Sequence, residues 1–419
     1  MKVLWFSNSP AAAYEQTIKG TGGWMATLDK AMQDKVELHV AFFYPYKQSP
    51  FKSGATTYHP IYTGNILLSA LKRRVGLDTG RSFLNDCLQV IEQVKPDIIH
   101  IHGSESSFIE VAQYTDTPLA LSIQGNLSVY AHKFLCGFHG EFLNAKRGEL
   151  TLKSLLLGRR SYKDGKKDLE RGALREQKYM PYVRHIIGRT DWDYRISRIL
   201  APESHYYVGN EILRDLFYER VWNNCYNSGK LILHTTNGDN YYKGFETLCH
   251  CLHLLNGLGI DVEWRVAGVS PESKINQITK RYLKGSYPEK GLVLMGSLGQ
   301  DQLVDSLLSS HLYVMPSHIE NSPNNLCEAM MLGLPCIATH AGGTASILRN
   351  GEEGLIIQDG DPWVMAGAIM ELVSQPKQMV QFGQKARAMA MKRHDRSKIV
   401  EQLIDTYHLI IREETKDRV

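Results

Sequence analysis

The 419-residue sequence has no uninterrupted apolar run approaching the ~18 to 20 residues that a membrane-spanning helix needs. It is equally short of patterned cysteine. Seven cysteines stand scattered at positions 87, 136, 225, 249, 251, 327 and 336. An odd, unpatterned set argues against a disulfide framework and for a reducing compartment. Cys249 and Cys251 lie two apart on an expected helix. Such residues do not share a face, so a metal pair is not expected there. The opening residues, KVLWFSN, read as a buried strand and a loop. No basic stretch precedes a long apolar core, so no signal peptide is expected. Neither sign of charge dominates, the net being +4 with 22% charged and 43% hydrophobic residues, which describes an ordinary soluble globular protein. The chain carries no repeat of 20 to 50 residues, no low-complexity tract, no G-x-G-x-x-G and no P-loop.

What is present is alternation. KVLWF, VELHVAFF, DIIHIHG, LALSIQG and RHIIGR read as strands. Between two of them, Leu84, Leu88, Ile91 and Val94 recur at helical spacing. A second series starts near residue 230 with LILHTT and continues through VEWRVAG, LVLMG, LYVMP, CIATH and GLIIQ. In that series Phe245, Leu248, Leu252 and Leu255 form the stripe of the first helix. Alternating strands and helices imply parallel sheets flanked by helices. The chain is long enough for two such domains. The expectation is an α/β protein of two Rossmann-like domains facing a cleft, with the joint near residues 205 to 229. Residues 378 to 415 read as two further helices, the last one amphipathic.

The densest chemistry lies in HIENSPNNLCEAMMLGLPCIATHAGG, residues 318 to 343. Asn321 and Ser322 are good N-caps and Pro323 suits a first helical position. Leu326, Ala329 and Met330 give one apolar face, and Gly333 is a C-terminal stop. Glu320 is therefore expected on the loop before a helix and Glu328 within it. The helix start, with free N–H groups on Asn324 and Asn325, favours anions, diphosphates among them. A carboxylate accepts two hydrogen bonds well and suits a vicinal diol. The other reading of the segment is two solvated glutamates beside an ordinary helix start.

Lys243 is the next signal. It follows LILHTT and the loop NGDNYY and is expected to open the helix GFETL. A lysine in a first turn opposes the helix dipole, and an anion between them would explain it. Gly20, Gly22 and Gly23 form GTGGW before the expected helix WMATLDKAM. There backbone can approach a ligand closely.

The pattern Glu320, seven residues, Glu328, Ala-Met, Gly-Leu-Pro and Gly-Gly resembles the donor-site motif of retaining glycosyltransferases of the GT-B fold, family 4 (glycosyl transferases group 1). The ENSPNNLCEAM form is similar to the bacterial capsular and exopolysaccharide branch. The resemblance implies two Rossmann-like domains and a C-terminal helix, about 395–419, packing back on the first. The first domain would span 1–205 and bind the acceptor, and the second would span 206–394 and bind the donor. It further implies that Glu328 holds the ribose and Glu320 faces the transferred sugar. The loop and helix start between them, with Ser322, Asn324, Asn325 and Leu326, would face the diphosphate. Lys243 matches the family's Lys-Gly step, whose lysine meets donor phosphates. Gly22 and Gly23 match a Gly-rich loop of the first domain that reaches the diphosphate or acceptor. Lys243 and Glu320 would be the catalytic pair. No metal and no other cofactor is implied.

Two departures stand out. The family usually has an arginine about six residues before the lysine, and Asn237 stands there. Arg265 is a candidate substitute; additional backbone N–H groups are another. Many relatives carry a histidine where Gln124 ends LALSIQG. Glutamine binds a hydroxyl but is no base at neutral pH. His102 and Arg189, at other strand ends of the first series, are candidate acceptor or sugar contacts. Two Asp-x-Asp triplets are read as helix-start carboxylates rather than metal ligands: Asp191 and Asp193 after Thr190, and Asp361 before Pro362.

Residues 146 to 178 hold eleven Lys or Arg and five Asp or Glu. This local basic excess suits an anionic acceptor or an anionic membrane surface. No stacking-aromatic or recognition-helix pattern accompanies it, so nucleic acid is not expected. The reading is a glycosyltransferase using an NDP-sugar, UDP- or GDP-linked, and a glycan or lipid-linked acceptor. It would be cytoplasmic, and peripheral on the membrane if the basic segment binds lipid. A non-hydrolysing sugar-nucleotide epimerase and a catalytically silent sugar-nucleotide binder are the alternatives.

Overall fold

The computed structural model describes residues 1–14, 23–64, 83–139, 162–226 and 228–416. Gly20, Gly22 and the basic residues 146–161 therefore lie outside the described residues. The chain divides into two compact units. One comprises Met1–Ala131, Thr151–Ile212 and Asp395–Val419; the other comprises His132–Leu150 and Leu213–His394.

The first unit is built on an eight-stranded sheet. Its strands are β1 (Lys2–Ser7), β2 (Glu37–Tyr44), β3 (Phe51–Ser53), β4 (Thr56–Tyr62), β5 (Ile98–His102), β6 (Leu119–Ser122), β7 (His185–Gly188) and β8 (His205–Val208). The order is β3-β4-β2-β1-β5-β6-β7-β8, parallel except for the short β3–β4 pairing. β1, β5 and β6 are buried almost throughout, as strands covered by helices on both faces must be. Three strands, β3, β4 and β8, go beyond those the sequence pattern suggests. β4 carries Pro60, which ordinarily argues against an inner strand. Pro60 is tolerated because the β3 pairing ends at Tyr58, so its ring nitrogen meets no partner strand there.

The helix Arg396–Lys416 returns to this unit. Tyr407 is fully buried, accepts a 3.0 Å hydrogen bond from Trp5 Nε1 and lies 2.6 Å from His100 Nδ1. Glu414 reaches His185 Nε2 at 3.0 Å. The amphipathic C-terminal segment is thus a structural part of the first sheet's cover.

The second unit contains a six-stranded parallel sheet: β9 (Leu231–Thr236), β10 (Val262–Ala267), β11 (Leu292–Gly296), β12 (Leu312–Met315), β13 (Cys336–Thr339) and β14 (Gly354–Ile357). The order is β11-β10-β9-β12-β13-β14. The helix Phe245–Gly257 buries Phe245, Leu248, Leu252 and Leu255 completely, the stripe expected from spacing. The order reverses between β9 and β12. In open parallel sheets such a switch leaves a crevice at the carboxyl ends of the strands, where ligands bind.

All seven cysteines are free, and Cys249 and Cys251 are both buried in the second unit's core. Among the described residues no helix is long and apolar enough to cross a membrane.

Candidate functional site

The switch point of the second sheet is where its charged residues gather. β9 runs into the loop Asn237–Asn240 and a single turn, Tyr241–Lys243, before Gly244 and the helix Phe245–Gly257. Lys243 thus precedes the helix instead of lying in its first turn as expected. Gly244 separates the two because its φ is +70° and a Cβ there would overlap the Pro316 carbonyl oxygen. Only glycine allows that approach. It brings the β9 loop against the loop that follows β12.

Two ion pairs then cross between these loops. Lys243 Nζ lies 2.6 Å from Glu320 Oε1. His318 Nε2 lies 2.6 Å from Glu246 Oε1. The backbone N–H of His318 also donates to the Tyr242 carbonyl at 2.9 Å. Ser317 Oγ donates to the same Oε1 of Glu320 at 2.7 Å. Glu320 is 4% exposed, and its Oε2 makes no hydrogen bond with the described residues. Burial pulls the Lys243 ammonium down, but Glu320 and Tyr242 outweigh it and hold the group above its ordinary range. His318 follows the same logic. Burial alone would discharge the ring; hydrogen bonds with Asp359, Cys136 and Glu246 keep it protonated well above the usual histidine range. The Gly-Gly loop fixes the far side of Glu320. Gly343 N–H donates to the Glu320 carbonyl at 3.0 Å. Gly342, at φ +54°, sits where a Cβ would overlap that same oxygen.

The helix after β12 is Asn324–Leu332, with Pro323 at the cap and Gly333 ending it at φ 87°. The start is later than expected, and neither Asn321 nor Ser322 is the cap residue. The first-turn N–H groups of Asn324 and Asn325 have no intrahelical acceptor. Asn325 Nδ2 donates to the Thr236 carbonyl at 2.7 Å, tying this helix start to the end of β9. Asn324 Oδ1 is buried without a hydrogen-bond partner among the described residues. Leu326 is wholly buried and its N–H already donates to the Pro323 carbonyl at 3.0 Å. Its contribution is therefore to packing. Ser322 is half-buried beside the helix start.

Glu328, in the middle of this helix, faces Arg214. Arg214 Nε and Nη2 donate to Glu328 Oε1 at 2.9 and 2.7 Å. Burial raises the Glu328 carboxyl and Arg214 pulls it back. No local pattern announces this contact, because the partners are 114 residues apart. His318 and Glu246 escape a reading of the sequence for the same reason.

The gap at Asn237 is not filled by Arg265. Arg265 donates to Glu263 at 2.7 Å and to Ser309 Oγ at 2.8 Å, and Ser309 precedes β12 at the opposite end of the sheet from Lys243. Asn237 itself serves the loop. Its Nδ2 donates to the Lys243 carbonyl at 3.1 Å, and its Oδ1 accepts from Gly238 N–H at 2.8 Å. The cation that pairs with Glu328, on the helix that follows β12, is Arg214.

The first unit's strand ends are built differently. His102 closes β5 at 1% exposure, with its ring 4.8 Å from Trp5 and 5.9 Å from Trp24, and neither ring nitrogen has a hydrogen-bond partner among the described residues. Arg189 follows β7, lies over the Trp24 ring at 4.6 Å and pairs with Glu211 at 3.4 Å. Both line a cavity of about 30 Å³ with Asn210, Gln402 and Thr406. Gln124 lies two residues beyond the end of β6 and is half-buried. Gly23 begins the helix Gly23–Met32 at φ +45°. Glu105, near the ends of β5 and β6, carries a carboxyl that burial pushes up to about 7. Asp193 forms a capping box with Thr190, and Asp361 accepts from Trp363 and Val364 N–H. These carboxylates serve helix starts.

Residues 224–389 match the family described as Glycosyl transferases group 1. The chain is 26% identical over 161 residues to N-acetyl-alpha-D-glucosaminyl L-malate synthase of Bacillus anthracis, a stretch covering 38% of this chain and 41% of that protein. The chain thus spans less than half the length of this curated relative. Among solved structures, sucrose-phosphate synthase from Thermosynechococcus elongatus superposes with a TM-score of 0.70 at 13% identity, covering 98% of this chain and 99% of that one. Anabaena HepE, solved in complex with UDP and glucose, does so with a TM-score of 0.62 at 13% identity, covering 97% and 99%. The chain has the GT-B fold of these glycosyltransferases, and its second unit carries the group 1 domain.

Proposed function

We propose that this protein is a retaining glycosyltransferase of family 4 type. It moves a sugar from a nucleoside diphosphate donor to a hydroxyl of a glycan or lipid-linked acceptor. The observation that carries this reading is the meeting of Lys243, Glu320 and the Asn324–Asn325 helix start at the switch point of the second sheet. Together they offer one held cation, one buried carboxylate whose Oε2 makes no hydrogen bond with the described residues, and a first helical turn whose N–H groups have no intrahelical acceptor. The cation and N–H groups suit the charge that develops on a leaving diphosphate. The free Glu320 oxygen suits a hydroxyl of the transferred sugar, and Glu328 suits the ribose. The bond from the anomeric carbon to the diphosphate oxygen breaks, and the acceptor oxygen bonds that carbon on the same face. The acceptor proton goes to a donor phosphate oxygen. No metal is needed in this scheme, because Lys243 and the N–H groups carry that charge.

The presence of UDP and glucose in the HepE complex supports a UDP-linked donor. By this reading the enzyme serves bacterial polysaccharide or cell-envelope glycan synthesis, on the cytoplasmic side. Any membrane contact would be made through residues 146–178. The test is transfer of labelled sugar from a panel of UDP- and GDP-sugars to glycan and lipid extracts, with the product anomer assigned by NMR. A product with the donor's anomeric configuration is expected, and an inverted product overturns the retaining assignment. A donor altered without any acceptor would instead identify an epimerase. One observation favours binding without turnover as the second reading: Asn237 is spent on its own loop where relatives carry an arginine. Donor binding with no transfer to any extract would establish it.

A further inference from the structure

Residues 132–150 belong to the second unit, although the chain on either side of them belongs to the first. The described part, 132–139, turns back on itself: Cys136 N–H donates to the Lys133 carbonyl at 3.3 Å and Phe138 N–H to the Leu135 carbonyl at 3.0 Å. Phe134 and Phe138 are both buried. Phe138 is part of the second unit's core, with its ring 5.0 Å from Tyr282 and 6.2 Å from Tyr241. Phe134 meets Tyr241 edge-on at 5.2 Å and lies 6.4 Å from Tyr242. Those two tyrosines open the turn that ends at Lys243, and Lys243 Nζ lies over the Tyr242 ring at 5.8 Å.

Between the two phenylalanines the chain meets the neighbouring ion pair. The Cys136 thiol is hydrogen-bonded to the His318 ring. A Cβ on Gly137 would overlap both Glu246 Oε1 and His318 Nε2, so glycine is what lets the backbone lie against this pair. Lys133 Nζ lies 3.7 Å from Asp359 Oδ2, and that oxygen lies 3.5 Å from His318 Nδ1. One short segment thus touches the turn that carries Lys243 and the histidine two residues before Glu320.

An ion pair fixes the distance between its charges but not the place of either loop. We propose that residues 133–138 form a strap that positions Lys243 and Glu320 for a diphosphate, with Phe134 and Gly137 as its positioning residues. Phe134 acts on Lys243 through Tyr241 and Tyr242. Gly137 acts on Glu320 through His318. This rests on the reading that the second unit binds a nucleoside diphosphate at Lys243. Linkage gives the role a consequence that simple packing lacks. If the docked strap strengthens diphosphate binding, the bound diphosphate must hold the strap docked by the same factor.

Cys136 and Cys225 are the two cysteines that are not fully buried, so both can report local opening to a thiol reagent. Cys225, hydrogen-bonded to the Tyr226 and Pro376 carbonyls, is the internal control. The probes are UDP and GDP, and calorimetry establishes which of them binds the wild type. Iodoacetamide labelling of both thiols, read by peptide mass spectrometry, is then compared with and without that diphosphate at saturation. The diphosphate is expected to slow Cys136 by about threefold or more and to leave Cys225 within about twofold. F134A and G137A should each speed Cys136 labelling without ligand and weaken the diphosphate by about threefold or more. F134Y keeps the ring and should bind as the wild type does. If F134A does not fold, G137A and the wild-type labelling provide the measurement. An unchanged Cys136 rate with the diphosphate bound, or equal slowing of both thiols, overturns the strap's role and leaves nucleotide binding standing. Wild-type affinity in both F134A and G137A does the same. Failure of the wild type to bind either UDP or GDP overturns the nucleotide reading, and the inference with it.

Discussion

The two sheets end in different chemistry. At the carboxyl ends of the second sheet, carboxylates meet cations: Lys243 with Glu320, His318 with Glu246, Arg214 with Glu328. At those of the first, two buried histidines are held neutral. Burial and Arg189 push His100 down to about 3, and burial with His100 and Arg189 keeps His102 well below the usual range. His100 is satisfied by two hydroxyls, Tyr407 and Ser122, each at 2.6 Å. Glu105 is pushed up to about 7. A ligand that is always charged, such as a diphosphate, needs cations that stay charged after burial, and carboxylate partners keep them so. A hydroxyl acceptor needs only neutral donors and acceptors. The ion-paired side therefore suits an anionic ligand, as the proposed donor is.

The largest expected effect breaks the paired side. Lys243→Ala should lower transfer by ~100-fold or more, the scale of removing one donor from an oxyanion site. Activity within threefold of wild type in a steady-state assay would remove Lys243 from the reacting centre. EDTA should leave the wild-type rate unchanged in the same assay, and loss restored by magnesium would overturn the metal-free scheme.

Next is the backbone that seats Glu320. Gly342→Ala places a methyl group against the Glu320 carbonyl at a positive φ. It should lower stability by about 2 kcal/mol or more, read as a fall in the urea midpoint together with weaker donor binding. An unchanged midpoint would mean the loop moves freely and does not position Glu320.

Two smaller effects sharpen the contrast through pH. The folded pKa of His318 lies above its unfolded value, so its contribution is complete below about 6.5 and is lost as pH rises toward the raised value. Stability should therefore fall from about pH 6.5 upward, and His318→Gln should remove that slope in urea titrations. The Glu105 carboxyl is also raised, to about 7 from 4.5. Its contribution is complete below 4.5 and is lost as pH climbs through 7, a fall that Glu105→Gln should flatten. If Glu105→Gln leaves the slope between those values intact, the carboxyl is not buried as described.

The asymmetry also explains what can be read from the sequence. Glu320, Glu328, the Gly-Gly loop and Lys243 lie in short local patterns whose physics is visible residue by residue. The helix stripe Phe245, Leu248, Leu252, Leu255 is legible for the same reason. Arg214, His318 and Glu246 are not, because a side chain's partner 72 or 114 residues away leaves no periodic trace. The helix start reads too early from the sequence because Asn321 and Ser322 satisfy the usual cap preference, yet the chain uses Pro323. His102 and Arg189 stand out as strand-end polar groups. That they line a cavity together with residues of the C-terminal helix depends on packing that no local pattern encodes.

The central claim is that the ion-paired end of the second sheet holds the diphosphate of a sugar nucleotide. Calorimetric titration of UDP and GDP into wild-type protein and Lys243→Ala tests it most directly. Binding of at least one diphosphate to the wild type, weakened about tenfold or more in the variant, is the predicted result. Equal affinity in both proteins would contradict it.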